Sequence, residues 1–155
     1  MKSKLSFAPL RPDAVAFLSN ATEIDFYRAD FTAPQWLCIT ARSPEGSVLG
    51  VFIAEFQVWF DAHITCAITD PRFLTRKLLH AIFYTLFSRA SRITAYSRPE
   101  NEASIRIIKH LGFQYEGYMR FAIEGKWDAM VFGMVQPECR WIRAPKPPIE
   151  FAKAA

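Results

Sequence analysis

His63-Ile64-Thr65-Cys66-Ala67-Ile68-Thr69 is stopped by Asp70-Pro71. Leu74, Leu78, Leu79, Ile82, Phe83, Leu86 and Phe87 follow at helical spacing, and then Arg92-Ile93-Thr94-Ala95-Tyr96-Ser97. The first stretch alternates, with Ile64, Cys66 and Ile68 on one face and Thr65, Ala67 and Thr69 on the other, as a strand does. The second puts its apolar residues on one stripe of a 3.6-residue period, which predicts an amphipathic helix. The third is again a short strand, with Ile93 and Ala95 facing one way and Pro99 ending it. A strand, a helix and a strand in this order predict a parallel pair joined by a right-handed crossover.

Outward from this unit the pattern changes. Upstream, residues 11–20 read as a short helix with Pro12 in its first turn, and residues 24–33 as an irregular or helical stretch. Trp36 to Thr40 and Val48 to Phe56 read as strands around the turn Pro44-Glu45-Gly46. Downstream, Asn101 is an N-cap for a helix carrying Ser104, Ile107, Ile108 and Leu111, closed by Gly112. Gln114–Ile123 and Trp127–Val135 then form a hairpin around Glu124-Gly125-Lys126. The expected fold class is α/β with a mixed sheet: mostly antiparallel strands, a central parallel pair, and helices on both faces. Residues 1–142 are expected to make one domain, and residues 143–155, with Pro145, Pro147 and Pro148, a proline-rich tail.

Composition agrees with a packed core. The chain of 155 residues is 51% apolar and 22% charged, with 14 Phe, 4 Trp and 5 Tyr. That is too apolar for an intrinsically disordered chain and too charged for a membrane-spanning one. No apolar run approaches a membrane span, so no membrane association is expected. Met1 to Leu5 is basic, but Pro9, Pro12 and Asp13 break any apolar stretch behind it, so no leader is expected. Cys38, Cys66 and Cys139 are odd in number and far apart, which predicts reduced thiols and a cytoplasmic protein. The net charge of +4 is unevenly spread. Between Arg72 and His110 there are eight Lys and Arg residues and only Glu100 and Glu102 as acids. Such a block suits an anionic ligand nearby or a solvated helical face.

Two features carry chemistry. In Asp70-Pro71-Arg72-Phe73-Leu74-Thr75-Arg76-Lys77, Arg76 and Lys77 sit in the first turn of a helix, where they oppose the dipole. Unpaired N–H groups there suit a phosphate, which would also make the two cations favourable. The second feature is Asn101-x-x-Ser104 followed by His110-Leu111-Gly112-Phe113-x-x-Glu116-Gly117. With these residues in this order, the chain resembles the GNAT superfamily of acyl-CoA N-acyltransferases, over about residues 50–141. It looks most like a subgroup common in phages and prophages, through Asp70-Pro71 with Thr75-Arg76, and through Gly133-Met134 with Glu138-Cys139-Arg140-Trp141.

The resemblance implies acetyl-CoA as co-substrate, no metal, and transfer of the acetyl group to an amine of a small molecule or peptide. It implies that Ile68, Thr69 and Asp70 contact the pantetheine arm. Leu74, Thr75, Arg76, Lys77, Leu78 and Leu79 would meet the pyrophosphate, and Asn101 with Ser104 the distal pantetheine. The phosphate loop of the superfamily is usually glycine-rich, whereas this stretch has no glycine. The tyrosine that many members carry on the late helix is replaced here by Ile108. Aminolysis of a thioester needs a neutral amine, an oxyanion donor and a proton for sulfur. The donor would be a backbone N–H near Ala67 and Ile68. Ser104 is either a proton relay or a packed helix residue. His63 is either a base or a solvent-facing structural residue. Asp61 and Glu124 read as loop residues, Cys66 as core, and Trp59, Trp127 and Trp141 as packing anchors. His80 and His110 lack metal-ligand spacing. A catalytically inactive binding or phage-assembly module of the same fold is the alternative. Nucleic acid is not the expected partner, because no stacked-aromatic or helix-turn-helix pattern is present. A homodimer stays open.

Overall fold

Alternation and helical stripes become a seven-stranded sheet with helices on both faces. The computed structural model describes residues 3–142; the proline-rich stretch read at 143–155 lies outside them. In chain order the elements are β1 (Lys4–Ser6), α1 (Pro12–Thr22), β2 (Trp36–Arg42), β3 (Val48–Val58) and β4 (Asp61–Ile68). After a 3-10 turn at Pro71–Phe73 come α2 (Arg76–Phe87), β5 (Arg92–Ser97), α3 (Glu102–Leu111), β6 (Gln114–Ile123) and β7 (Trp127–Val135), then a second 3-10 turn at Gln136–Glu138. The strand order is β1-β2-β3-β4-β5-β7-β6. The pairs are antiparallel except β4 with β5, the expected parallel pair.

Strand alternation divides the core into two layers. On one face Phe52, Ala54, Ile93, Ala95 and Phe132 meet Leu79, Ile82, Phe83, Leu86 and Phe87 of α2, together with Ile108 and Leu111 of α3. On the other, Cys38, Val51, Ile53 and Ala67 meet Ala14 and Leu18 of α1, together with Phe31. Each fully buried Leu or Phe contributes about 1.5–3 kcal/mol relative to exposure, so the α2 face carries most of the burial. The second layer covers β2, β3 and the end of β4 but does not extend over β5, where Thr94 is buried and Tyr96 is exposed.

Helix ends follow the expected signals. Asn101 Oδ1 accepts the Ser104 N–H at 3.1 Å, and Gly112 closes α3 at φ 104°, a conformation that penalises a side chain. Trp141 Nε1–H then donates to Leu111 O at 2.8 Å and Arg140 donates to His110 O, so the last segment satisfies carbonyls at the end of α3. Glu124 and Gly125 both take positive φ in the β6–β7 turn, which suits a tight hairpin.

Residues 24–33 take the irregular of the two expected forms, a series of turns, and Phe26 and Phe31 pack into the second layer. Several expectations need correction. β1 has no periodicity to betray it: its three residues are exposed, and its partner is β2. α2 begins at Arg76, because the 3-10 turn takes up residues 71–73 and Leu74 lies before the helix. β4 begins at Asp61, which is thus a strand residue and not part of a loop. Trp59 is 82% exposed at the β3–β4 turn, edge-on to Phe60, and is no packing anchor.

α1 is tied to the sheet by a two-bond ion pair, Arg42 Nη1 to Asp13 Oδ2 at 2.6 Å and Nη2 to Oδ1 at 2.7 Å. The Arg42 hydrogen bonds hold the Asp13 carboxyl down at a pKa of about 2. A depressed carboxylate stabilises the fold above its unfolded pKa and loses that contribution as pH falls through the folded value. Asp13→Asn is therefore expected to lower stability by roughly 0.5–1 kcal/mol at neutral pH, as exposed pairs do. The gap from wild type should close between about pH 4 and pH 2 in a thermal-melt series, and a gap of constant size would refute the pair's role.

Candidate functional site

The parallel pairing sets the site. β4 and β5 are in register from Asp61 with Arg92 to Ile64 with Ala95, and then part. Beyond that rung β4 stays paired to β3 up to Ile68 with Gly50, and β5 to β7 up to Ser97 with Met130. The two strands thus diverge with their inner edges open. Thr69 N–H bonds to Leu49 O of the β3 side at 2.9 Å. Since alternate residues of a strand turn their N–H groups to opposite sides, Ala67 points toward β3, while Cys66 and Ile68 point into the split. Of the two backbone donors expected, only the one at Ile68 faces the opening.

At the same end of the sheet lies the start of α2. Thr75 is its N-cap, with Oγ1 accepting the Leu78 N–H at 3.2 Å, and the Leu79 N–H bonds to Thr75 O. The first-turn N–H groups of Arg76 and Lys77 keep no partner within the helix. Both side chains are exposed and line an open cleft of about 850 Å³ with His80, Arg140 and Trp141. His80 Nδ1–H donates to Trp141 O at 2.9 Å, which fixes the wall of the cleft.

The remaining expected residues divide. Ile68, Leu74 and Leu78 line an apolar crevice together with Cys66, Phe73 and Ile82. Thr69 Oγ1 is engaged with Leu49 O at 3.0 Å. The Asp70 carboxylate accepts from Arg72 N and Arg72 Nε, and these bonds hold its pKa below the usual range. Leu79 is turned into the core, 4% exposed, and presents no side chain to the cleft. Ile108, at the position of the absent tyrosine, is also buried. Cys66 corrects the expectation of a core residue: it is exposed to the crevice, because the late start of α2 leaves it uncovered. The apolar surroundings push its thiol up to about 12, so it is not a nucleophile at neutral pH.

Ser104 and His63 are not brought together. Ser104 belongs to α3 on the helix-bearing face, while His63 shares the opposite face with Thr65 and Ala67. There His63 is one member of a cluster that the sequence did not reveal. His63 Nε2 lies 3.2 Å from Asp61 Oδ2, and Thr94 Oγ1–H donates to Asp61 Oδ1 at 2.8 Å. Arg92 Nε stands 3.6 Å from Asp61 Oδ1, and Arg92 Nη2 pairs with Glu116 Oε1 at 2.5 Å. The Tyr96 ring meets the His63 ring edge-on, with centroids 5.3 Å apart. Burial, and then the Asp61 charge, raise the Tyr96 phenol, leaving it protonated and able to donate. The signal in the sequence was the alternation Arg92, Thr94, Tyr96, the polar complement of Ile93 and Ala95.

Glu116 reaches Arg92 because β6 is irregular there: Tyr115 pairs with Phe132 and Gly117 with Val131, so Glu116 is the extra residue. The ion pair crosses over Gly133, where an added Cβ would overlap the Glu116 carboxylate and Arg92 Nη2. Among the described residues no group of three or more His, Cys, Asp or Glu side chains is placed to hold a metal ion.

No protein-family model and no curated protein matches the sequence. Solved structures do. A spermidine N-acetyltransferase from Vibrio cholerae, in complex with CoA and spermine, superposes with a TM-score of 0.61 at 15% identity over 90% of this chain and 98% of the other. A ribosomal-protein-S5-alanine acetyltransferase from Vibrio fischeri gives 0.61 at 15% identity over 92% and 96%. A putative phosphinothricin N-acetyltransferase gives 0.60 at 15% identity over 86% and 98%. At these identities the likeness is one of architecture, and the chain has the GNAT fold that its residues suggested.

Gly133→Ala is expected to push the Glu116–Arg92 pair off the sheet at a cost of roughly 0.2–1 kcal/mol, since the atoms in the way are the far ends of two flexible side chains in a partly exposed pair. Chemical denaturation measures this, and an unchanged midpoint would show that the pair does not depend on the missing side chain.

Proposed function

We propose that this chain is an acetyl-CoA-dependent N-acetyltransferase that moves an acetyl group to a primary amine of a small molecule or protein in the cytosol. The observation that carries this reading is the split after the Ile64–Ala95 rung, opening beside a cationic helix start. Its neighbours in architecture are named as acetyltransferases, two of the three as N-acetyltransferases, and one was crystallised with CoA and spermine. Glu138-Cys139-Arg140-Trp141 and Asp70-Pro71 support placing it nearest the phage- and prophage-associated subgroup.

The residues present fit the co-substrate. Arg76 and Lys77 offer two cations and two first-turn N–H groups to a pyrophosphate, and helical φ/ψ supplies those donors without glycine. Ile68, Leu74 and Leu78 give an apolar wall for a pantetheine arm, Thr69 and Thr75 its polar edge. Asn101 and Ser104 flank the start of α3. The bound thioester supplies an activated acyl carbon. The Ile68 N–H, turned into the split, is a backbone donor for charge on the carbonyl oxygen. His63 faces the other side of the sheet and takes the proton from the arriving ammonium.

Calorimetric titration with acetyl-CoA tests the reading. Wild type is expected to bind saturably at micromolar concentration, and Arg76→Ala/Lys77→Ala to bind about tenfold or more weakly, given 1.5–3 kcal/mol per charged hydrogen bond. No heat and no thermal shift at millimolar ligand would refute it and leave a non-catalytic module of the same fold.

A further inference from the structure

The cluster around His63 is more elaborate than a solvent-facing histidine requires. Side chains of His63 and Asp61 are 20% and 15% exposed, on a face of the sheet that α1 leaves open. An ionised carboxylate only accepts hydrogen bonds, so the 3.2 Å contact requires the proton on His63 Nε2. Nδ1 is then the lone pair of the neutral ring. The Asp61 carboxylate is itself fixed by the Thr94 hydroxyl, while Arg92, which Glu116 holds in turn, donates its Nε–H to Thr94 Oγ1 at 3.2 Å and places its charge 3.6 Å from Asp61 Oδ1. His63 pairs with Thr94 one rung before β4 and β5 part.

Resting on the acetyl-transfer reading, we propose that Asp61 is the positioning residue of His63, locked by Thr94 and Arg92, so that Nδ1 is the atom that takes the acceptor's proton. His63 removes one proton from the ammonium and later releases it to water. The freed nitrogen pair forms the C–N bond, the C–S pair leaves with sulfur, and the second N–H proton ends on the thiolate. Ionised Asp61 stabilises the imidazolium meanwhile. The other groups facing His63 are Glu55, opposite it on β3, and Arg92 and Tyr96 on β5, with Glu116 of β6 reaching the cluster through Arg92. The three carboxylates outnumber the one guanidinium, and this favours a cationic acceptor.

The test is the tautomer of His63, read from ring ¹⁵N shifts of the uniformly labelled full chain, with His80→Gln and His110→Gln for assignment. Wild-type His63 is expected to be the Nε2–H form at high pH. In Asp61→Asn the amide oxygen is claimed by the Thr94 hydroxyl, whose own oxygen accepts from Arg92, so the NH₂ faces the ring and the tautomer is expected to switch to Nδ1–H. In turnover assays the same variant should lose about 10²- to 10⁴-fold in kcat, with KM for acetyl-CoA little changed. A wild-type Nδ1–H form or a mixture overturns the proposal, whether or not the variant folds. So does an Asp61→Asn protein that keeps the wild-type tautomer or the wild-type kcat. The tautomer is read without turnover: an Nε2–H ring in a protein that ignores acetyl-CoA would refute the transferase reading and leave the positioning intact.

Discussion

Everything at the candidate site depends on a competition for backbone hydrogen bonds. β4 and β5 each have a second neighbour, β3 and β7, to which they stay bonded to their ends, and they pair with one another only from Asp61 to Ile64 and Arg92 to Ala95. A buried unpaired N–H or C=O is costly, so such an opening persists only if water or a ligand reaches it. The strands are held apart by loyalty to their outer partners. The gap is built into the topology and not into a flexible loop.

The two faces of that gap have different characters for one reason. α2 and α3 bury the even-numbered Phe52, Ala54 and Phe56 of β3 and Ala62 of β4 together with the odd-numbered Ile93 and Ala95 of β5, and α1 stops short of the even-numbered side chains on the other face of β5. The uncovered positions must carry side chains compatible with water. Arg92, Thr94 and Tyr96, with Asp61 and His63 beside them, satisfy this by bonding to one another. On the helix side α2 begins after Thr75, whose Oγ1 accepts the Leu78 N–H, and the first two donors of the helix have no partner within it.

Local signals were legible and long-range ones were not. The stripe of α2 from Leu78 to Phe87, the Asn101 cap, the Gly112 stop and the β6–β7 turn each lie within a few residues, and the structure has them where spacing put them. Lys4–Ser6 had no signal, since three exposed residues on an edge obey no period. Cys66 read as core because its neighbours are apolar, yet burial depends on where α2 starts, and a 3-10 turn shifted that start. The Asp61–Thr94 and Arg92–Glu116 contacts join residues 33 and 24 positions apart. Such pairs follow from register, which a single sequence does not print. His63 was visible as a titratable residue, but its setting was not.

The last strand in the spatial order has a consequence of its own. β6 is an outer edge with Tyr115, Tyr118, Met119 and Phe121 exposed, a composition that invites another chain to add itself to the sheet. Its ladder is interrupted twice, near Glu116 and again between Met119 and Ile123, where Phe121 takes φ 50° and gives its N–H to Asp128. A strand offered from outside would find no continuous row of donors and acceptors to zip onto. The irregularity that sends Glu116 toward Arg92 also works as insulation, keeping a sticky border from seeding fibrous self-association.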